Sequence, residues 1–189
     1  MWLTMTALDR KGRPIQYFRA VGTSLLGNFV GAFFWASVQS VLSQTVTEEP
    51  FRSGVIHRLD SHVTDQHWHV IFIRSIGCGF LVSIAMMLGT QNRDGVSKAI
   101  GLYLPFFIST TAEFPHTVEY TYLGLTGMFL GARLTVGMFF WKCLLPVILG
   151  NAVGGAFVGA YNYWVFIKRG DDKHERRADG SWLPADEDS

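Results

Sequence analysis

Three ionisable side chains lie close together in a stretch that is otherwise apolar. Glu113, His116 and Glu119 all fall within residues 102–131, where aromatic, aliphatic and small residues predominate. Histidine titrates near neutral pH, so an imidazole here can donate a hydrogen bond or exchange a proton. The two carboxylates would repel an anion unless they are protonated or paired. We therefore expect His116 to contact a small charged solute, with Glu113 and Glu119 as modulators.

The same stretch carries residues that interrupt a helix. Pro105 and Pro115 each remove a backbone donor, and the run Ser109, Thr110, Thr111 is poor in helix-forming side chains. Non-helical backbone at membrane depth survives only where it is buried in protein or lines a water-filled cavity. The pattern predicts a broken helix around residues 110–116. Either His116 faces a pore there, or it is a buried histidine that holds the break together.

Composition places this stretch in a membrane protein. Hydrophobic residues make up 49% of the 189 residues and charged residues 16%, whereas ordinary soluble domains carry about 25% charged residues. At about 1.5 Å per residue, some 20 apolar residues cross the hydrocarbon layer. We predict an all-α membrane protein with four transmembrane passages, the third of them the broken helix. The passages are expected at residues 20–42, 68–89, 97–133 and 136–167.

Basic residues predict the orientation of these passages. Eleven of the 16 Lys and Arg residues lie near the N-terminus, in the loop after the second passage or in the C-terminal tail. An even number of passages puts all three regions on one side, which is cytoplasmic by the positive-inside rule. We expect a plasma-membrane protein with both termini cytoplasmic. Residues 1–17 then form a cytoplasmic segment, 43–67 an extracytoplasmic loop and 168–189 a disordered cytoplasmic tail.

A Gly-Asn-x-x-Gly pattern occurs in both the first and the last passage. Small residues at this spacing let helix backbones approach closely in lipid, and we expect this of Gly27, Gly31, Gly150, Gly154 and Gly155. Asn28 and Asn151 are polar at mid-span, so each bonds to another helix or faces a pore. Three passages separate the start of the first motif helix from the start of the last, so the two motif helices run in opposite directions, as in an inverted repeat. Residues 18–42 would be the last helix of a first repeat, and 68–167 a second three-helix repeat.

Several classes of site are not indicated by the sequence. Cys78 and Cys143 lie in apolar runs and form neither a disulfide framework nor a metal-ligand spacing. Four histidines in the connection after the first passage are loosely spaced and are expected at the surface of a loop: His57, His62, His67 and His69. No nucleophile–base pair, phosphate loop or basic patch is present in the pattern. We expect no enzyme activity, no metal, no cofactor and no nucleic-acid partner.

Motifs in both halves of the chain resemble the formate–nitrite transporter family. These motifs are GNFVGA at 27–32, PVILGNAVGGAFVGAYNYW at 146–164, FIRSIGCGFLVSIAMML at 72–88 and the central FPHTVEYTY at 114–122. In the central motif, Phe114, His116 and Thr117 match the family's Phe-x-His-Ser pattern. The chain departs from the family at Gly79, often an asparagine there, and at three residues around the histidine: Glu113, Pro115 and Tyr120.

The resemblance implies an aquaporin-like fold with six spans in two inverted repeats, and a pentamer with one pore per protomer. Against that pattern the sequence is expected to lack the first two spans. The implied function is passage of a small monovalent weak-acid anion, such as formate or nitrite, with His116 at the pore waist. Pore residues would be Phe114, Thr117, Thr110, Asn151 and Asn28. The alternative is a shortened, non-transporting membrane subunit that assembles with or regulates full-length relatives.

Overall fold

The computed structural model describes residues 2–9 and 13–168, and all regular secondary structure in these ranges is helical. The helices are α1 (Trp2–Leu8), α2 (Pro14–Phe34), α3 (Phe51–Leu59), α4 (Trp68–Gln91), α5 (Gly95–Thr111), α6 (Thr117–Leu130), α7 (Val136–Met138) and α8 (Leu145–Asn162). Four π-helical segments extend α2, α3, α7 and α8: Trp35–Leu42, Asp60–Thr64, Phe139–Leu144 and Tyr163–Lys168. The all-α prediction is thus confirmed for the described ranges. The predicted disordered tail falls, from residue 169 onward, outside them.

Among the residues that the structure describes, three helices are long and apolar enough, by length and composition, to cross a membrane. They are Pro14–Leu42, Trp68–Gln91 and Val136–Phe166. The predicted third passage instead consists of α5, with 17 residues, and α6, with 14. Each is shorter than the roughly 20 residues that span a bilayer. The structure therefore has three uninterrupted spans where the sequence predicts four passages, and the fourth would need α5 and α6 together.

Helices α4 and α8 pack backbone to backbone. A methyl group added to Gly150 would lie 2.5 Å from the Phe72 carbonyl oxygen, and one added to Gly154 would overlap the Ile76 carbonyl oxygen. A methyl group added to Gly79 of α4 would likewise overlap the backbone of Asn151 in α8. Because position 150 faces 72–76 and position 154 faces 76–80, the two helices run parallel. Glycine is what permits this approach.

Helix α5 runs antiparallel to α4 and lies beside it. Leu102 packs against Gly89 at one end, and Phe114, just past α5, packs against Gly77 at the other. The helix continues through Pro105, although the sequence predicts that this proline disfavours a helix. Pro105 is buried, so packing outweighs the lost backbone bond.

Asp94 caps the start of α5. Its carboxylate accepts a hydrogen bond from the Ser97 backbone N–H at 2.8 Å, which holds the Asp94 pKa below its usual value. A carboxyl whose pKa is lower in the folded chain than in the unfolded chain stabilises the folded protein at pH values above the unfolded pKa. That contribution is lost as the pH falls through the pKa of the folded state.

We expect Asp94→Ala to lower the thermal midpoint by about 2 °C at neutral pH. The difference from wild type should shrink as the pH falls below about 4, the usual pKa of an aspartate, and should be lost once the pH falls below the lowered pKa of the folded carboxyl. Thermal unfolding in detergent across pH 3–7 measures this. Asp94→Asn, which keeps an acceptor but no charge, should show a smaller deficit that shrinks over the same pH range. A pH-independent deficit for Asp94→Ala would contradict the account.

Helix α2 contacts the rest of the chain over a narrow stripe. Within it and its π-helical extension, the buried residues are Ala32, Ala36 and Ser40. The Ser40 hydroxyl lies 2.7 Å from the Tyr122 hydroxyl. Large apolar side chains on its other faces are exposed: Phe18, Leu26, Val30, Phe34 and Leu42. Such a surface suits lipid or another protein chain.

The connection between the first two spans contains a helix where the sequence predicts a loop. Helix α3 and its π-helical extension occupy 51–64 of the 43–67 connection. Leu59 and Val63 are fully buried, and Leu59 packs against Gly127 of α6. The helix forms because an apolar face can be buried against α6, a partner far away in the sequence.

Candidate functional site

The predicted break is present between α5 and α6, at residues 112–116. Glu113 adopts a left-handed backbone conformation with φ of 53°, and the Phe114 N–H donates to the Ser109 carbonyl at 3.0 Å. Pro115 is fully buried. Its carbonyl accepts a hydrogen bond from the Asn151 side-chain amide at 2.9 Å. Asn151 therefore ties the break to α8.

His116 is the last non-helical residue of the break. It occupies the N-cap position of α6 with an extended backbone, and its side chain is half-buried. It lines a cavity of about 750 Å³ between α2 and α6, which we name the histidine cavity. The other lining residues are Gly27, Asn28, Gly31, Ala32, Trp35, Gln39, Ser40, Thr45, Val118, Glu119 and Tyr122.

A second cavity, of about 640 Å³, lies beside the first and is almost wholly apolar. We name it the apolar cavity. Thr117 and Thr121 contribute from α6, and Phe140, Trp141 and Leu144 from the segment before α8. Asn28 lines both cavities. The first turn of α6 thus separates a cavity that has some polar lining from one that has almost none.

Both carboxylates near His116 have a partner in α3 or its π-helical extension, an arginine for Glu119 and a histidine ring for Glu113. Glu119 accepts from the Arg58 guanidinium at 2.8 Å, and Glu113 lies 3.4 Å from the His62 Nε2. All four side chains are partly exposed, and His62 is the least exposed of them at 18%. The Arg58 guanidinium therefore offsets the repulsion that the sequence predicts between Glu119 and an anion.

The α3 segment is held at the site by further polar contacts. Arg133 bonds to Asp60 at 3.2 Å and to Asp65 at 3.3 Å, and these carboxylates raise the Arg133 pKa. The Lys142 ammonium donates to the Thr64 carbonyl at 2.6 Å. Arg52 donates to the Leu130 carbonyl. The segment is thus anchored at both of its ends.

The other predicted pore residues divide into two groups. Thr117 and Asn28 line a cavity, as does His116. Phe114 packs against Gly77, and Thr110 is exposed, with its hydroxyl bonded to the Phe106 carbonyl at 2.9 Å. Neither of these two lines the histidine cavity or the apolar cavity.

The two copies of the Gly-Asn motif have different surroundings. Gly150 and Gly154 pack tightly against α4, and Gly155 is buried. Gly27 and Gly31 border the histidine cavity, and apart from the neighbouring backbone of α2 itself no described atom would come within 4 Å of a methyl group added to either. Likewise Asn151 is hydrogen-bonded, whereas Asn28 is exposed and makes no hydrogen bond to a described residue.

Arg58 and His62 are site residues that the sequence reasoning missed. They are four positions apart, and so are Val55, Leu59 and Val63, which make the buried face of the same helix. Spacing by four is the signal of a one-faced helix. The spacing indicates a helix with Arg58 and His62 on the same face, although it does not indicate which carboxylates these two side chains contact.

The histidines of the connection do not form a metal site in the described chain. The rings of His67 and His69 stack at 5.6 Å, whereas His62 pairs with Glu113. Within residues 2–9 and 13–168, no three His, Cys, Asp or Glu side chains are grouped as metal ligands would be. Cys78 and Cys143 are buried free thiols.

A comparison with protein families decides the identity of this architecture. The model of the formate/nitrite transporter family matches residues 1–165. The chain belongs to the formate/nitrite transporter family. Together with its long apolar helices, membership makes it an integral membrane protein.

Individual relatives agree with this assignment. A probable formate transporter of Methanothermobacter thermautotrophicus is 30% identical over 87% of this chain and 64% of its own length. A formate-nitrite transporter of Plasmodium falciparum (isolate 3D7) is 25% identical over 87% of this chain and 55% of its own length. This member of the formate/nitrite transporter family therefore spans about three fifths of the relatives it matches. Those relatives are named as transporters rather than enzymes, in line with the expectation from the sequence.

Proposed function

We propose that this chain moves small monovalent weak-acid anions, such as formate, nitrite or a similar monocarboxylate, across a membrane. The observation that carries the proposal is the position of His116. It stands half-buried at the N-terminal end of α6 and lines the histidine cavity with Asn28. Transport, and no enzymatic activity, is the function that the names of the relatives suggest for this site.

The chemistry of the site suits an anion. The imidazole can donate a hydrogen bond or a proton, and the N-terminus of α6 adds unpaired backbone N–H groups with partial positive charge. The apolar cavity beside it disfavours a bare charge, so an anion that takes a proton at His116 would pass more easily. In this proposal Thr117 and Asn28 contact the solute. Phe114 and Asn151 shape the break, and Thr110 precedes the break at the end of α5, outside both cavities.

The membrane arrangement is part of the proposal. We infer four passages, with α5 and α6 crossing together, in an aquaporin-like inverted-repeat bundle. Both termini are cytoplasmic in the plasma membrane, and the chain assembles as a homo-oligomer, a pentamer by family resemblance. The exposed apolar face of α2 supports assembly.

Anion uptake into proteoliposomes tests the function. We expect formate or nitrite flux from the wild-type chain, and a loss of at least about tenfold in His116→Ala, because the variant lacks the imidazole that donates a hydrogen bond or a proton to the anion. Stopped-flow light scattering or a pH-sensitive dye in the lumen measures the flux. His57→Ala is the matched control, since His57 is exposed and lies outside both cavities. Equal flux in wild type and His116→Ala would remove His116 from the mechanism.

A second function is favoured by the shape of α2. Its large apolar residues are exposed, and both cavities adjoin it. The alternative is a non-transporting subunit that assembles with or regulates full-length relatives. Co-purification with such a relative, together with no flux from the chain alone, would support this alternative.

A further inference from the structure

The histidine cavity has one carboxylate in its wall. Of the described residues that line it, Glu119 is acidic and His116 is titratable, and the others are uncharged. Glu119 is 39% exposed and is bound by Arg58 at 2.8 Å. Arg58 comes from α3, which belongs to none of the three spanning helices.

We propose that Arg58 sets the charge selectivity of the histidine cavity by neutralising Glu119. The inference deepens the proposed function, on which it rests for the identity of the solute. With the pair intact, the wall of the cavity carries no net charge apart from His116. Without Arg58, the cavity presents a carboxylate beside the imidazole and favours cations.

A single unpaired charge in the wall of a cavity acts strongly on an ion inside that cavity. Two unit charges interact more strongly near a protein surface than in bulk water, and walls of low dielectric concentrate the field of a single charge. An anion beside an unpaired Glu119 would be repelled, whereas an anion beside the Arg58–Glu119 pair would meet a dipole. Arg58 is thus a selectivity residue that acts through Glu119 and does not itself line the cavity.

The competing explanation is that the ion pair only clamps α3 to α6. The two explanations predict different signs for the effects of Arg58→Gln and Glu119→Gln: the same sign if the pair is a clamp, and opposite signs if the pair balances the charge of the cavity. Loss of a clamp follows equally from Arg58→Gln and Glu119→Gln, because each removes the same bond. Loss of charge balance makes the cavity more negative in Arg58→Gln and more positive in Glu119→Gln. The double variant returns it close to neutral.

Charge-selective thiol labelling measures this balance without requiring transport. Gln39 is exposed and lines the histidine cavity, and its backbone carbonyl, not its side chain, accepts from Thr45. Gln39→Cys therefore places a reporter thiol at the cavity. The full-length chain in liposomes is labelled with an anionic sulfonatoethyl and a cationic trimethylammonium-ethyl methanethiosulfonate, and the ratio of the two rates is recorded. The parent chain, whose Cys78 and Cys143 are buried, supplies the background.

We expect Arg58→Gln to lower the anionic-to-cationic ratio by about tenfold. Glu119→Gln should raise the ratio, the double variant should lie near the Gln39→Cys parent, and Arg58→Lys should keep most of the wild-type ratio. Arg52→Gln is the matched control, since it removes a cation of the same helix that contacts the Leu130 carbonyl outside the cavity.

Two results would overturn the inference: an unchanged ratio in Arg58→Gln, or a shift of the same sign in Arg58→Gln and Glu119→Gln. If Arg58→Gln does not fold, an unchanged or lowered ratio in Glu119→Gln overturns it. If the wild type shows no formate or nitrite flux, the proposed function is refuted. The labelling ratios would still decide the role of Arg58 in that case.

Discussion

Gly154→Ala should destabilise the protein by about 3 kcal/mol, a large effect for a single methyl group. The added carbon would overlap the Ile76 carbonyl oxygen and lie 2.6 Å from the Phe80 backbone nitrogen. These are backbone atoms of α4, so no side chain can rotate away, and the two helices must separate along their contact. Size-exclusion chromatography in detergent after heating, with the midpoint of loss of the monodisperse peak, measures the change.

The matched control is Gly27→Ala in the other copy of the motif. No described atom lies within 4 Å of a methyl group there, and alanine is the better helix former by about 0.5–1 kcal/mol. The same substitution in the same sequence pattern should therefore change the midpoint in opposite directions. Equal destabilisation at both positions would mean that Gly27 packs as closely as Gly154 does.

Asn151→Ala is the second change with a large expected effect. The Asn151 amide donates to the Pro115 carbonyl at 2.9 Å and to the Val147 carbonyl at 2.8 Å. The Val147 carbonyl lies inside α8, where regular helical bonding also serves it. Pro115 is fully buried in the helix break, so its carbonyl would lose a partner where water is scarce. We expect a cost of about 2 kcal/mol and a displaced break.

Asn28→Ala provides the comparison for this prediction. Asn28 is exposed, makes no hydrogen bond to a described residue and borders both cavities. We expect its thermal midpoint to stay near that of the wild type while anion flux changes. Asn151→Ala should lower the midpoint and reduce flux together, because it moves His116. Identical behaviour of the two variants would show that the two asparagines share one task.

The ion pairs of the α3 segment bear on the same site. The sequence predicts that Glu113 and Glu119 disfavour an anion, and the structure pairs them with His62 and Arg58. A family member can therefore keep carboxylates beside the histidine if a neighbouring helix supplies cations. Whether these pairs balance the cavity or only hold α3 in place is what the labelling experiment decides.

Local chemistry was enough to predict the broken helix and the tight helix pair. Pro115 and the polar run before it weaken a helix wherever they stand, and the structure interrupts the chain at 112–116. Glycines four residues apart in an apolar helix favour close approach, and Gly150 and Gly154 meet α4 in this way. The start of the second span at Trp68 follows equally from the apolar run.

The same sequence patterns could not predict which helix each of these residues packs against. Gly27 carries the same motif as Gly150 and meets nothing, and α5 passes through Pro105 because that residue is buried. The sequence predicts a loop where helix α3 forms, because the apolar face of this short helix is stabilised only when Leu59 packs against α6.

Local features of the amino-acid sequence are enough to predict a helical membrane protein of the formate/nitrite transporter family with His116 in a helix break. These features depend on propensity, hydropathy and motif, which act over a few neighbouring residues. Two contacts emerge from the folded chain alone: Asn151 binds the break while Asn28 borders the cavities, and Arg58 reaches Glu119 across 61 positions of the chain. Such contacts depend on how the helices pack against one another, and many helix arrangements are compatible with the same local sequence pattern.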